Sequence, residues 1–287
     1  MVFCSRKSLD QAALEHLQTL VNDEAVNINC TSPKTSNSPL FLLCRHNQSQ
    51  ILYPAIKILL KRKDINRQHK NKFGHNALSL VARYYPNEDI IDIIRLLVIK
   101  YPVSVTDVKD KSKRNVLILL CQFYSGKNLP ELVELLLDNG ADATSTSPHG
   151  NGLRNPLILV CTYYRKSNLI DLVELLLDRG TSVNQRDHFG DSAFNLLCAY
   201  YTGHNLKDIL QLLIDRQAIA TFKNKFGFNA LLHLCKKQGS RRDLVDLVQF
   251  LKTNLVEMDA ENRNGRKAYW YLRDKRHRLA IKQLLKF

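Results

Sequence analysis

A short apolar pattern returns along this chain at nearly constant intervals. That regularity constrains the fold more than any other feature. Six segments align on one apolar anchor: Ser38–Cys44, Asn76–Ala82, Asn115–Cys121, Asn155–Cys161, Ser192–Cys198 and Asn229–Cys235. A degenerate seventh is Lys267–Leu272. The anchors are Leu40, Leu78, Leu117, Leu157, Phe194, Leu231 and Tyr269, so successive spacings are 38, 39, 40, 37, 37 and 38 residues. A unit this small cannot bury its own apolar face and must stack on its neighbours.

Each unit carries a second apolar stretch. Leu129–Leu137 and Leu169–Leu177 place apolar residues at i, i+3, i+4 and i+7, the mark of a helix with one buried stripe. Gly140 and Gly180 follow where a helix end favours a left-handed residue. A short extended segment comes next. It leads to a polar turn ending in glycine: Asn71–Gly74, Asp187–Gly190 or Asn224–Gly227. The expected unit is helix, loop, helix and a hairpin-like finger.

On these residues the chain resembles the ankyrin repeat. The inner-helix T-P-L-H-x-A signature of that family has counterparts in Ser38-Pro39-Leu40, Asn155-Pro156-Leu157 and Asn229–Leu234. Its L-L-L-x-x-G-A-D motif has one in Leu135–Asp142. The resemblance covers nearly the whole chain. It implies an all-α solenoid of stacked helix-loop-helix-finger units with terminal caps, a single domain over residues 1–287. An N-terminal cap takes 1–30, with one helix from Leu9 to Leu20. Repeats take 31–66, 67–105, 106–143, 144–183, 184–220 and 221–258, and a C-terminal capping repeat takes 259–287. The resemblance also implies a scaffold or adaptor whose concave face, made of finger tips and inner helices, meets a partner.

The units depart from the family in length. Ordinary ankyrin units have about 33 residues, and these have 37 to 40. The extra stretch, roughly one helical turn, lies between the two helices. It carries an aromatic pair in four consecutive units: Tyr84-Tyr85, Phe123-Tyr124, Tyr163-Tyr164 and Tyr200-Tyr201. One role is packing, with one ring under the longer loop, the other against the next unit, and the hydroxyls reaching water. The other is a column of rings lining a recognition groove. Identical recurrence favours packing, because recognition surfaces vary between units.

The search for reactive chemistry is negative. Five of the seven cysteines (Cys44, Cys121, Cys161, Cys198, Cys235) occupy one equivalent site, filled by Ala82 in the second unit. Stacked helices lie about 8–10 Å apart, too far for a disulfide or a shared zinc. Cys4 and Cys30 are isolated. These cysteines read as small buried residues, and reduced thiols fit an intracellular compartment. No phosphate-binding glycine loop, nucleophile elbow or paired-histidine metal motif occurs. His233, on an inner helix, reads as a local hydrogen-bonding residue. The chain is expected to be non-catalytic, without cofactor or metal. It has no apolar run of the roughly 18 residues a membrane helix needs and no visible signal peptide. A monomer in the cytoplasm or nucleus is the expectation.

Charge gives the surface its character. Lys plus Arg number 42 against 27 acids, a formal net charge of +15. From Arg263 onward there are nine basic residues and one acid. The fingers are basic almost throughout. They carry Arg67, His69, Lys70 and Lys72, then Lys109, Lys111, Lys113 and Arg114, then His149 and Arg154. Arg186 and His188, Lys223 and Lys225, and Arg263, Arg266 and Lys267 continue the series, partly offset by Asp107, Asp110, Asp187 and Glu261. Five residues after the anchors stand Arg45, Arg83, Lys236 and Arg273 on inner helices (the last four residues past its own anchor). With Phe73, Phe189 and Phe226 as anchors, this predicts a basic concave strip. The strip suits an acidic or phosphorylated protein segment, with nucleic acid as the alternative partner.

Overall fold

The computed structural model describes residues 10–46, 49–106, 110–149 and 152–285. They fall into two compact units, Met1–Ser145 and Thr146–Phe287. The N-terminal unit holds α1 (Gln11–Asn22), α2 (Pro39–His46), α3 (Leu52–Leu59), α4 (Ala77–Tyr84), α5 (Ile90–Arg95), α6 (Val116–Phe123) and α7 (Leu129–Asp138). A π-helical turn, Leu96–Lys100, extends α5. Helices α2, α4 and α6 stack as an inner row, and α1, α3, α5 and α7 as an outer row. The cap helix thus begins and ends two residues later than the sequence predicted.

The C-terminal unit starts with a hairpin, β1 (Ser147–His149) against β2 (Gly152–Arg154), antiparallel with Pro148 opposite Leu153. Then come α8 (Pro156–Tyr163), α9 (Leu169–Asp178), α10 (Ala193–Tyr200), α11 (Leu206–Asp215), α12 (Ala230–Gln238), α13 (Leu244–Thr253) and α14 (Lys275–Leu285), with a 3-10 turn at Ala268–Tyr271. Helices α8, α10 and α12 and the 3-10 turn form its inner row; α9 packs on α11 and α13 on α14.

Every full-length inner helix starts one residue before its anchor. The reason is the residue ahead of it. Asn76, Asn115, Asn155, Ser192 and Asn229 are N-caps whose side chains accept the amide three residues on. The four asparagines do a second thing that serine cannot. Asn76 Nδ2 donates to Ser104 O, Asn115 to Ser145 Oγ, Asn155 to Ser182 O and Asn229 to Glu257 O, all at 2.8 Å. One carboxamide starts a helix and pins the segment that follows the next helix. Where Ser192 is the cap, Asn195 supplies the donor, to Phe222 O.

Inner helices lie between layers, so their apolar residues are buried all round; Val116 through Cys121 are an unbroken buried run. Outer helices bury one stripe, as Leu129, Leu132, Val133, Leu136 and Leu137 do in α7. Helices α7 and α9 end at left-handed Gly140 (φ 93°) and Gly180 (φ 85°). Gln217 (φ 64°) and Leu255 (φ 60°) hold the same conformation just beyond α11 and α13.

The five equivalent cysteines are buried and free. Burial pushes the thiols of Cys121, Cys161 and Cys235 up to about 12 and raises Cys44 and Cys198 further.

Position within each aromatic pair decides its role. The second ring (Tyr85, Tyr124, Tyr164, Tyr201) is buried. Its hydroxyl donates four residues on, to Asp89, Asn128, Asn168 or Asn205. Two of those asparagines then reach the preceding unit: Asn128 donates to Glu88 O and Asn205 to Ser167 O. Burial raises the phenol of Tyr164 to about 12 and raises that of Tyr201 too. The first ring stays on the surface: Phe123, Tyr163 and Tyr200 are 44%, 43% and 40% exposed.

The fingers are tight hairpin-like turns, each closed by a backbone bond: Asn71 N to His75 O, Asp110 N to Arg114 O, Asp187 N to Asp191 O and Asn224 N to Phe228 O. Strand pairing forms at β1–β2 alone among the described residues, apart from a single bridge between Arg186 and Ser192. Elsewhere an Asn or Asp oxygen accepts two amides, two and four residues ahead. Asn71 takes Phe73 and His75, Asp110 takes Ser112 and Arg114, Asp187 takes Phe189 and Asp191, and Asn224 takes Phe226 and Phe228. This side-chain turn reinforces the backbone bond across the finger. Successive fingers are laced by backbone: Lys72 N to Thr35 O and Lys111 N to Phe73 O in one unit, Lys225 N to Phe189 O and Arg263 N to Phe226 O in the other.

Candidate functional site

The two units each carry a groove between fingers and inner helices. In the C-terminal unit the groove encloses about 450 Å³. Its floor is Phe228, His233 and Tyr271, and its rim is Phe189, Phe226, Tyr200, Lys236, Lys237, Arg263 and Arg266. A second depression of about 640 Å³ shares Lys236, Lys237, Arg266 and Tyr271 and adds Trp270 and Arg273.

Cations lie on these rings throughout. Lys236 Nζ is 4.4 Å from the Phe228 centroid and 5.8 Å from that of Tyr271. Lys237 stands 5.8 Å from Tyr200, and the Arg266 guanidinium 3.8 Å from Trp270. Phe189 and Phe226 are exposed neighbours with centroids 5.9 Å apart. The floor is cross-linked: His233 Nε2 lies 2.9 Å from Asp191 Oδ1, whose other oxygen accepts from Asn224 at 3.0 Å. His233 thus bonds across to the preceding finger, where a local partner was expected.

In the N-terminal unit a smaller cavity of about 220 Å³ is lined by Arg45, Phe73, His75, Leu80, Arg83, Tyr84, Asp110, Lys111, Ser112 and Arg114. Asp110 takes a double hydrogen bond from Arg114, Nε at 2.9 Å and Nη2 at 2.7 Å, with Arg83 Nη1 at 4.0 Å. Burial alone would raise this carboxyl; the Arg114 bonds and the turn amides outweigh it and hold it below the usual carboxylate range. Burial lowers His75, which favours its neutral form there.

The sequence-predicted residues divide into two sets. Phe73, Arg83, Lys111 and Arg114 meet at the smaller cavity; Phe189, Phe226, Arg263 and Arg266 meet at the larger. Lys70, Lys113 and Lys225 are exposed near finger tips. The rest are tied into the fold. Arg154 is buried and donates to Tyr163 Oη at 3.0 Å, with Asp187 at 3.7 Å. Arg186 donates to the Gly190 and Lys223 carbonyls. His69 bonds Ser36 O at 2.7 Å and Lys72 bonds Pro33 O at 2.7 Å. Arg67 stands over Tyr101 at 5.2 Å, Lys223 pairs with Glu257, and the His188 ring lies on Phe189. Lys109, Asp107 and Cys4 lie outside the described residues, as does the His149 side chain. Sequence reasoning passed over Lys237, Phe228 and Trp270 as site residues. Lys237 beside Lys236, and the basic run around Trp270, were the available signals.

No family model matches the chain, and no curated protein matches it. Among solved structures it is similar to the ankyrin repeat domain of human ASB11, with a TM-score of 0.60 and 19% identity. The match covers 86% of this chain and 95% of that one. The chain has the ankyrin-repeat fold, an all-α repeat solenoid. Among the described residues no helix is long and apolar enough to cross a membrane.

Proposed function

We propose that the chain is a non-catalytic scaffold or adaptor that binds an acidic or phosphorylated protein segment on the basic finger and inner-helix surface of its units. The observation that carries this reading is the larger groove. There Lys236, Lys237, Arg263 and Arg266 interleave with Phe189, Phe226, Tyr200 and Trp270. Aromatic anchors supply desolvated area, while the cations select acidic side chains. The groove's carboxylate, Asp191, is already engaged by His233 and Asn224.

Fluorescence anisotropy with a labelled peptide of alternating Glu and Phe tests the reading. Binding should weaken at least tenfold in a Lys236→Glu/Arg266→Glu variant and hardly change in Lys100→Glu, on an exposed outer position. A Lys-for-Glu peptide should not bind. Equal loss from Lys100→Glu would refute the groove. Tighter binding of a single-stranded oligonucleotide than of the peptide, falling steeply with salt, would favour the nucleic-acid alternative.

A further inference from the structure

The smaller cavity differs in kind from the larger. Its cations are mainly arginines, and they alternate with rings. Arg45 stands 5.7 Å from the Tyr84 centroid, and Arg83 stands 5.3 Å from that same ring and 4.8 Å from Phe123. Arg114 stands 5.6 Å from Phe123. Lys111 lies over Phe73 at 5.3 Å on the rim. Four permanent cations thus face one carboxylate, Asp110, which is spent on Arg114. Arg83 keeps only a 4.0 Å approach to that carboxylate. Arg45 makes no ion pair among the described residues. The guanidinium groups of Arg45 and Arg83 each stand within about 6 Å of a ring centroid, at cation–π range.

We infer that this cavity is a phosphoryl-binding site, and that it reads a phosphorylated side chain on the protein partner; this rests on the acidic-segment reading above. A guanidinium fork matches two phosphoryl oxygens, and a phosphoryl group carries nearly two charges at neutral pH. A single carboxylate would leave more of the four cations uncompensated. A cavity of about 220 Å³ has room for a phosphoryl group on a side-chain stem.

The test titrates the full chain with short Ala/Gly-flanked peptides bearing phosphoserine, phosphothreonine or phosphotyrosine, their unphosphorylated forms, Glu-substituted forms, and inorganic phosphate. Binding is read by calorimetry and by the shifts of arginine side-chain Nε–H signals. At least one phosphopeptide should bind at least tenfold more tightly than its Glu form and shift Arg45 and Arg83. Arg45→Gln and Arg83→Gln should each weaken it tenfold or more, and Arg45→Lys should restore only part of the loss. Lys100→Gln, on an exposed outer position, should leave it within twofold. Equal affinity for phosphorylated and unphosphorylated peptides would overturn the inference while leaving the larger groove untouched. So would a loss that follows Lys100 and spares Arg45. Inorganic phosphate binding as tightly as every phosphopeptide would assign the site to free phosphate, against a partner side chain. Stronger binding to vesicles containing a phosphoinositide would assign it to a membrane, with the same result.

Discussion

Asn229 offers the sharpest test of how these units are joined. Its Oδ1 accepts the Leu232 amide at 3.0 Å, its Nδ2 donates to Glu257 O at 2.8 Å, and the residue is fully buried. The two legs can be removed separately. Asn229→Ser keeps the cap and strips the donor, leaving the Glu257 carbonyl without that partner, at about 1–3 kcal/mol. Asn229→Ala loses the cap as well, about 1 kcal/mol more, so about 2–4 kcal/mol in all. Asn229→Asp keeps the cap but sets a carboxylate against a carbonyl oxygen in a buried site. It should cost at least as much as Ala, and less at low pH where the carboxyl is protonated. Urea unfolding followed by tryptophan fluorescence measures this, because the one tryptophan, Trp270, lies in the same unit. Asn195→Ala is the control. It removes the same kind of donor, to Phe222 O, but also removes a buried Oδ1 with no partner, so it should cost less than Asn229→Ala. The reasoning fails if Asn229→Ser stays within about 0.5 kcal/mol of wild type, the range of a neutral surface change.

Lys113 sits at φ 58° where the other turns have Gly74, Gly190, Gly227 and Gly265, so Lys113→Gly should stabilise by about 1 kcal/mol in urea melts despite glycine's greater unfolded-state entropy. Asp110 is held below the usual carboxylate range, so its contribution is complete above the unfolded value of about 4 and is lost as pH falls through the lower folded value. Asp110→Asn should accordingly flatten the acid limb of the stability curve, and an unchanged limb would count against the Arg114 pair. Cys121, Cys161 and Cys235, with thiols near 12 and no exposure, should resist iodoacetamide at neutral pH until urea unfolds the chain; mass spectrometry after labelling decides it.

The repeat spacing was enough to give the architecture, because helix length and stacking depend on local pattern. An apolar anchor behind an Asn or Ser fixes where each inner helix starts, and Gly140 and Gly180 fix where two outer ones stop. The equivalence of the five cysteines likewise pointed to small buried residues, and all five are buried. The aromatic pairs were less legible. Two adjacent rings look alike in sequence, and only the turn of the chain at the helix end sends Tyr85, Tyr124, Tyr164 and Tyr201 inward while their predecessors stay outside.

The basic residues were legible as a class but not one by one. Arg154 and Arg186 look as available as Arg263, yet a carbonyl or carboxylate from another segment consumes them. Arg45, Tyr84, Arg83 and Phe123 lie up to 78 positions apart in sequence, and only the stacking of three helices sets them side by side. Period and capping are properties of a segment and travel with its residues. Which charge is spent on the fold and which faces solvent depends on neighbours about forty residues away, and those meet only when the units pack.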